Sequence, residues 1–133
     1  METLNAFLRG APARSERPLY DLLRQLPLLS AAPGAAVDYE AADAALLVSI
    51  ADNAETAMCV IHRGLQAIGV LLANSSPEYE TKELSAATVE AIGWLIAELA
   101  DVSATAHLYS AACRRHTFDF DPPEPRVTPP AIP

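Results

Sequence analysis

Cys59 and His62 stand three residues apart in the segment AMCVIHRGLQAIGVLLA, residues 57–73. On a helix that spacing turns a thiol and an imidazole toward neighbouring faces, an arrangement able to share a metal ion. A metal site asks for three or four ligands, and the segment supplies no third. His62, with Arg63 beside it, is also expected to meet Glu98 and Asp101 if the chain folds back on itself. An imidazole with a carboxylate to orient it has the makings of a general base. A charged face shared between two helices uses the same residues, and such pairs contribute little in solvent. His107 reads as a histidine at the edge of an apolar seam, and His116 as a cap at a helix end. Cys59 and Cys113 read as small buried hydrophobes, reduced in a cytoplasmic setting because no secretory apolar stretch opens the chain.

No serine lies in a G-x-S-x-G turn, and neither phosphate-cradling glycine pattern occurs. The H-E-x-x-H and Glu-x-x-His spacings are missing as well. The residues therefore predict no catalytic set, no cofactor and no metal, which is to say a protein without enzymatic activity. Trp94 is the more informative side chain. Helical spacing points it roughly 130° away from the expected seam between helices, toward Glu90 and Asp101. An aromatic on an acidic outer face is either covered by another part of the chain or offered to a partner, where tryptophan is favoured.

The elements that must carry these residues are helical. From Asp38 to Pro77 no proline interrupts the chain, and Leu47, Ile50, Ala54, Ala57, Ile61, Gly64, Ile68 and Leu71 recur at steps of three and four. Ala51, Met58, Leu65 and Leu72 widen that stripe. Asp38 is the expected N-cap of a helix over residues 39–74, roughly 54 Å long. Ser85 caps a second helix over 86–116, roughly 46 Å long, with Ile92, Leu95, Leu99, Val102, Ala106, Tyr109 and Cys113 as its seam and Val89, Ile96 and Ala100 beside it. Its last turn carries Arg114, Arg115 and His116, cations that suit the C-terminal dipole.

A short connection joins the two, so they are expected to form an antiparallel hairpin in which residue i lies near about residue 160−i. Cys59 then faces Asp101 while Cys113 lies near Leu47, about 18 Å away along the axis, which excludes an intrachain disulfide. Ahead of the hairpin, Ser15 and Pro18 open a short helix over 18–26 with Leu19, Leu22, Leu23 and Leu26 on one face, ended by Pro27. Residues 2–9 suit another turn or two of helix, and Pro33-Gly34 marks a loop.

Composition agrees with this plan. Of 133 residues, 26 are alanine and only 5 glycine, and 6% are aromatic, which argues for an all-α fold. The organisation is an N-terminal short helix and Pro/Gly loop (1–37), a helical hairpin (38–116) and an extended Pro-rich tail (117–133). The tail's P-x-x-P spacings are weak motifs at that proline density. The net charge of −8 is unevenly spread: residues 1–27 are net +1 and residues 28–116 net −7. That balance excludes nucleic acid as a direct ligand. The most apolar run is broken by His62, Arg63 and Gln66, and falls short of a membrane span.

Residues 28–54, LLSAAPGAAVDYEAADAALLVSIADNA, resemble the opening of small helical proteobacterial domains of unknown function, in which a Pro-Gly loop precedes an Ala-rich, capped helix. The resemblance implies a helical fold and brings no activity with it. The 51% hydrophobic content lies along two long helices with wide apolar surfaces, more than one mutual interface can cover. The expected solution is a homodimer closing a four-helix bundle, its core and interface built from Leu47, Ile50, Ile61, Leu65, Ile68, Leu72, Ile92, Leu95, Ile96, Leu99 and Val102. The function expected is a cytoplasmic protein–protein interaction module contacting its partner around Trp94, Glu90 and Asp101. The alternative is an acidic phage or mobile-element inhibitor that imitates nucleic-acid charge in a partner's basic cleft.

Overall fold

The structure, a computed structural model, describes residues 15–34, 36–75 and 84–121. The expected turn over residues 2–9, the connection over 76–83 and the polyproline tail beyond Asp121 lie outside the described residues. Among the described residues the fold is all-α: a short helix α1 (Pro18–Gln25), a 3-10 turn (Leu26–Leu28) and two long helices, α2 (Ala44–Asn74) and α3 (Ala86–Arg115). The long helices pack on each other as a hairpin, and α1 packs on α2.

Each boundary has a local cause. Pro18 stands in the first turn of α1, where its missing N–H costs no bond. Ser15 does not cap that helix as its spacing suggested. Its hydroxyl donates to the Asp21 carboxylate and accepts the Arg17 N–H at 3.0 Å, bracing the turn before the helix. Proline in the 3-10 turn then ends the α-helical run. The loop that follows folds onto itself through an Ala31–Val37 bridge, with the Ala32 N–H donating to the Ala36 carbonyl. Gly34 makes this possible with φ of +96°, a conformation L side chains avoid.

The N-cap of α2 is Asp43, five residues later than the expected Asp38; its carboxylate accepts the Leu46 N–H at 3.3 Å. Asp38 caps a single turn instead, accepting from the Ala41 N–H at 3.1 Å. Tyr39 explains the delay. Its ring stacks on His116 with 5.1 Å between centroids, which draws residues 38–42 across the end of α3 before α2 can begin. Ser85 caps α3 as expected, accepting the Thr88 N–H at 3.1 Å. At the other end the His116 N–H closes the last turn, and its Nδ1 lies 2.9 Å from the Ala112 carbonyl.

The core gathers at the end of the hairpin where α2 begins and α3 stops. Leu22 from α1 meets Leu47, Ile50, Ala51 and Ala54 from α2 and Ala106 and Cys113 from α3, all buried. Polar contacts fix the register there. Gln25 joins α1 to α2, donating to the Ser49 hydroxyl at 2.7 Å and accepting from Asn53 Nδ2 at 2.9 Å. Between α2 and α3, Glu55 accepts from Ser110 at 2.8 Å, and His62 Nε2 lies 3.0 Å from Ser103 Oγ. These two contacts put residue i beside about residue 165−i, about a turn from the expected register.

The seam of α3 is accordingly rotated. It runs through Ile92, Ile96, Leu99, Ser103, Ala106, Ser110 and Cys113, still at steps of three and four. Leu95 and Val102, expected in that seam, are instead 50% and 37% exposed. On α2, Leu47, Ile50 and Ile61 are buried, and Leu65, Ile68 and Leu72 half-buried. Gly64 and Leu71 lie outside the seam, exposed.

Candidate functional site

Trp94 emerges on the far side of α3 from α2. With the seam at Ile92, Ile96, Leu99 and Ser103, a step of 100° per residue places the indole about 170° from it. The side chain is 66% exposed. Of the two outcomes open to it, covered by α1 or presented to solvent, the structure shows the second: α1 packs along α2. About four turns further on the same face lies Leu108, 68% exposed. Between them at helical spacing stand Ala97 and Ala104 together with Glu98, Asp101 and Thr105, all exposed. Glu90 and Asp101 border Trp94 and are exposed as expected.

The residues expected to form a charged or catalytic group are not brought together. His62 faces Ser103 and not Glu98 or Asp101, because the helices pair about one turn out of the expected register. His62 and His107 both line an open depression of about 380 Å³ on one side of the hairpin, with Met58, Leu65, Ala100, Ser103 and Ala104. Its walls are largely apolar, and Ser103 provides the hydrogen bond that holds His62. Among the described residues no three of His, Cys, Asp and Glu gather in a way that could hold a metal ion. Cys59 is exposed, contrary to the expectation of a buried thiol, since its position on α2 lies outside both contact faces. Cys113 is buried in the core, which pushes its thiol pKa up by desolvation.

A polar cluster that sequence reasoning missed lies at the closed end, where α2 begins and α3 stops. Arg114 Nε donates to Glu55 Oε1 at 2.9 Å, and its Nη2 donates to Glu55 Oε2 at 2.9 Å and to Asp52 Oδ1 at 2.6 Å. The bidentate contact holds the Glu55 carboxyl below its usual pKa, with the Ser110 hydroxyl adding to the effect. Its position in the last turn of α3 marked Arg114 as a partner of the helix dipole, and nothing local to it announced carboxylates on α2. Tyr20 is a second such case, with the Arg17 guanidinium 4.3 Å from its ring centroid on the outside of α1.

By length and composition α2 is apolar enough to cross a membrane, with a mean hydropathy of 1.5 over its most apolar window, of which 39% is buried within the protein. A core helix of a helical bundle meets the same criterion. No family model, curated protein or solved structure matches the chain.

Proposed function

We propose that the protein is a non-enzymatic, cytoplasmic interaction module that self-associates through the outer face of α3, two hairpins joining as a four-helix bundle. One observation carries this reading: Trp94, 66% exposed, stands opposite the intrachain seam with exposed alanines beside it, and Leu108 lies about four turns away on the same face. Exposed apolar groups scattered singly are ordinary, whereas a tryptophan and a leucine aligned on one helical face form a contact surface. Tryptophan contributes heavily at interface centres, and flanking alanines let a second helix approach to about 8–10 Å. Glu90 and Asp101 lie on the same face, and because Asp101 stands midway between Trp94 and Leu108, salt that screens it from its own copy is expected to favour the contact. The acidic-decoy reading draws less support, because Arg114 engages two of its carboxylates, Asp52 and Glu55.

Sedimentation equilibrium of the full chain and of Trp94→Ala tests the proposal. The expected result is a wild-type dimer at micromolar concentration and a variant whose self-association is weakened at least tenfold, with unchanged helix content. A wild-type monomer under those conditions, or a Trp94→Ala dimer as tight as wild type, overturns it.

A further inference from the structure

Asp101 stands at the midpoint of α3, a helix of 30 residues from Ala86 to Arg115. At 100° per residue it points about 180° from the seam through Ile92, Ile96, Leu99, Ser103, Ala106 and Ser110. Trp94 precedes it and Leu108 follows it by the same number of residues. Each lies about 20° off the line drawn through Asp101 along the helix, on opposite sides of it. The apolar groups of this outer face are therefore symmetric about Asp101, and its charges are not. Glu90 and Arg115 stand toward the two ends of the helix, both exposed, about 20° and 40° off the line on one and the same side. Neither makes an ion pair among the described residues.

A second copy can lie along this face in two orientations. Parallel helices in register set Glu90, Glu98, Asp101 and Arg115 each at the level of its own copy, four like-charge contacts. We propose the other orientation: two protomers pair antiparallel along α3, with their two-fold axis beside Asp101, so that residue i lies level with the partner's residue 202−i. The inference rests on the self-association through Trp94 proposed above, and adds its direction and register. The two helices then overlap over their whole length, and Trp94 lies level with the partner's Leu108. Glu90 comes within about 4.5 Å, measured along the axis, of the partner's Arg115. A two-fold axis perpendicular to both helices keeps these two residues on one side of the contact. Across the roughly 8–10 Å between packed helix axes, a glutamate and an arginine span that offset and form an ion pair. Symmetry makes two such pairs, one near each end. Glu98 comes level with the partner's Ala104, and Asp101 alone still meets its own copy. Charge selects the antiparallel form, because it exchanges three like-charge contacts for two attractive ones.

Sedimentation equilibrium of the full chain carrying Glu90→Arg, Arg115→Glu or both tests the orientation. Each single substitution turns two attractive pairs into two repulsive ones and is expected to weaken the dimer about fivefold or more. The double substitution reverses both partners and is expected to restore wild-type affinity to within about twofold. Single variants that associate as tightly as wild type, or a double variant no tighter than the singles, overturn the antiparallel register while leaving self-association through Trp94 in place. A wild-type monomer overturns both. Oxidation gives an independent reading in a Cys59→Ser background, where the remaining native thiol, Cys113, is buried. Ala97→Cys mixed with Ala104→Cys is expected to yield the mixed disulfide, because the antiparallel register sets those positions about 1.5 Å apart along the axis, on the same side. A parallel dimer separates them by about 10 Å and joins Ala97→Cys to its own copy instead. Predominance of that homodisulfide, or the absence of a mixed product, overturns the proposal.

Discussion

The two ends of this hairpin bury side chains to different depths whatever the size of the residue. At the end where α2 begins and α3 stops, residues as small as Ala51, Ala54, Ala57 and Ala106 are at most 3% exposed, because α1 packs on α2 there. At the open end the seam holds Leu65, Ile68, Leu72, Ile92, Ile96 and Leu99, larger residues that are only half-buried. Two helices share one line of contact, and a side chain on that line is flanked by solvent on both sides. A third helix covers one flank and completes the enclosure. Burial in this molecule thus follows the number of neighbouring elements more closely than hydrophobicity, and the closed end is where most of the packing energy resides.

The strongest test of that difference compares one isoleucine at each end. Ile50→Ala removes a side chain that is 0% exposed within the α1–α2–α3 core and should cost about 2–5 kcal/mol in urea unfolding. Ile92→Ala removes the same atoms from a half-buried position and should cost about 1 kcal/mol. Equal losses would mean that the open end is as well enclosed as the closed one.

Much of this architecture can be read from residue order. The two long helices, the Ser85 cap, the proline-opened α1 and the Pro33-Gly34 loop all follow from local chemistry, and alternation at three and four survives intact in both seams. What the order of residues did not reveal is the rotation of α3. A seam chosen by hydrophobicity takes Val102 and Tyr109, whereas the observed seam takes Ser103 and Ser110. Those serines face inward because His62 and Glu55 meet them, partners 41 and 55 residues away. The outward position of Trp94 was legible from its spacing, and its exposure depended on where α1 settled. That choice rests on Gln25 reaching Ser49 and Asn53, a contact no single segment displays.

Gln25 accordingly gives the next largest effect. Gln25→Leu keeps the volume of the side chain and leaves Asn53, only 8% exposed, without the acceptor it now uses. The expected cost is about 1–3 kcal/mol, the desolvation penalty of a buried amide without its partner. Because the bond joins α1 to α2, hydrogen exchange should accelerate in α1 before it does in α3. A uniform acceleration would place α1 in the same cooperative unit as the hairpin, and an unchanged stability would remove the amide bridge from the forces that seat it.

The smallest effect concerns the Arg114 cluster, which separates the ends electrostatically as α1 does by packing. Arg114 and its carboxylates are between two and three fifths buried, with side-chain exposures of 42% and 45%, so screening limits the whole cluster to about 1 kcal/mol. The sign of its pH dependence follows from Glu55. Its folded pKa is lowered, chiefly by the hydrogen bonds from Arg114, so the folded state favours the carboxylate. The stability it contributes is complete above the ordinary glutamate pKa of about 4.3 and is lost as pH falls through the lower folded value. Arg114→Met keeps most of the aliphatic stem while removing the guanidinium. It should cost about 0.5–1 kcal/mol at neutral pH, and the difference from wild type should shrink as the solution is acidified below pH ~4. A difference that stays constant across that range would assign Arg114 to packing of its methylenes against α2, leaving the closed end held by its core and the Gln25 bridge alone.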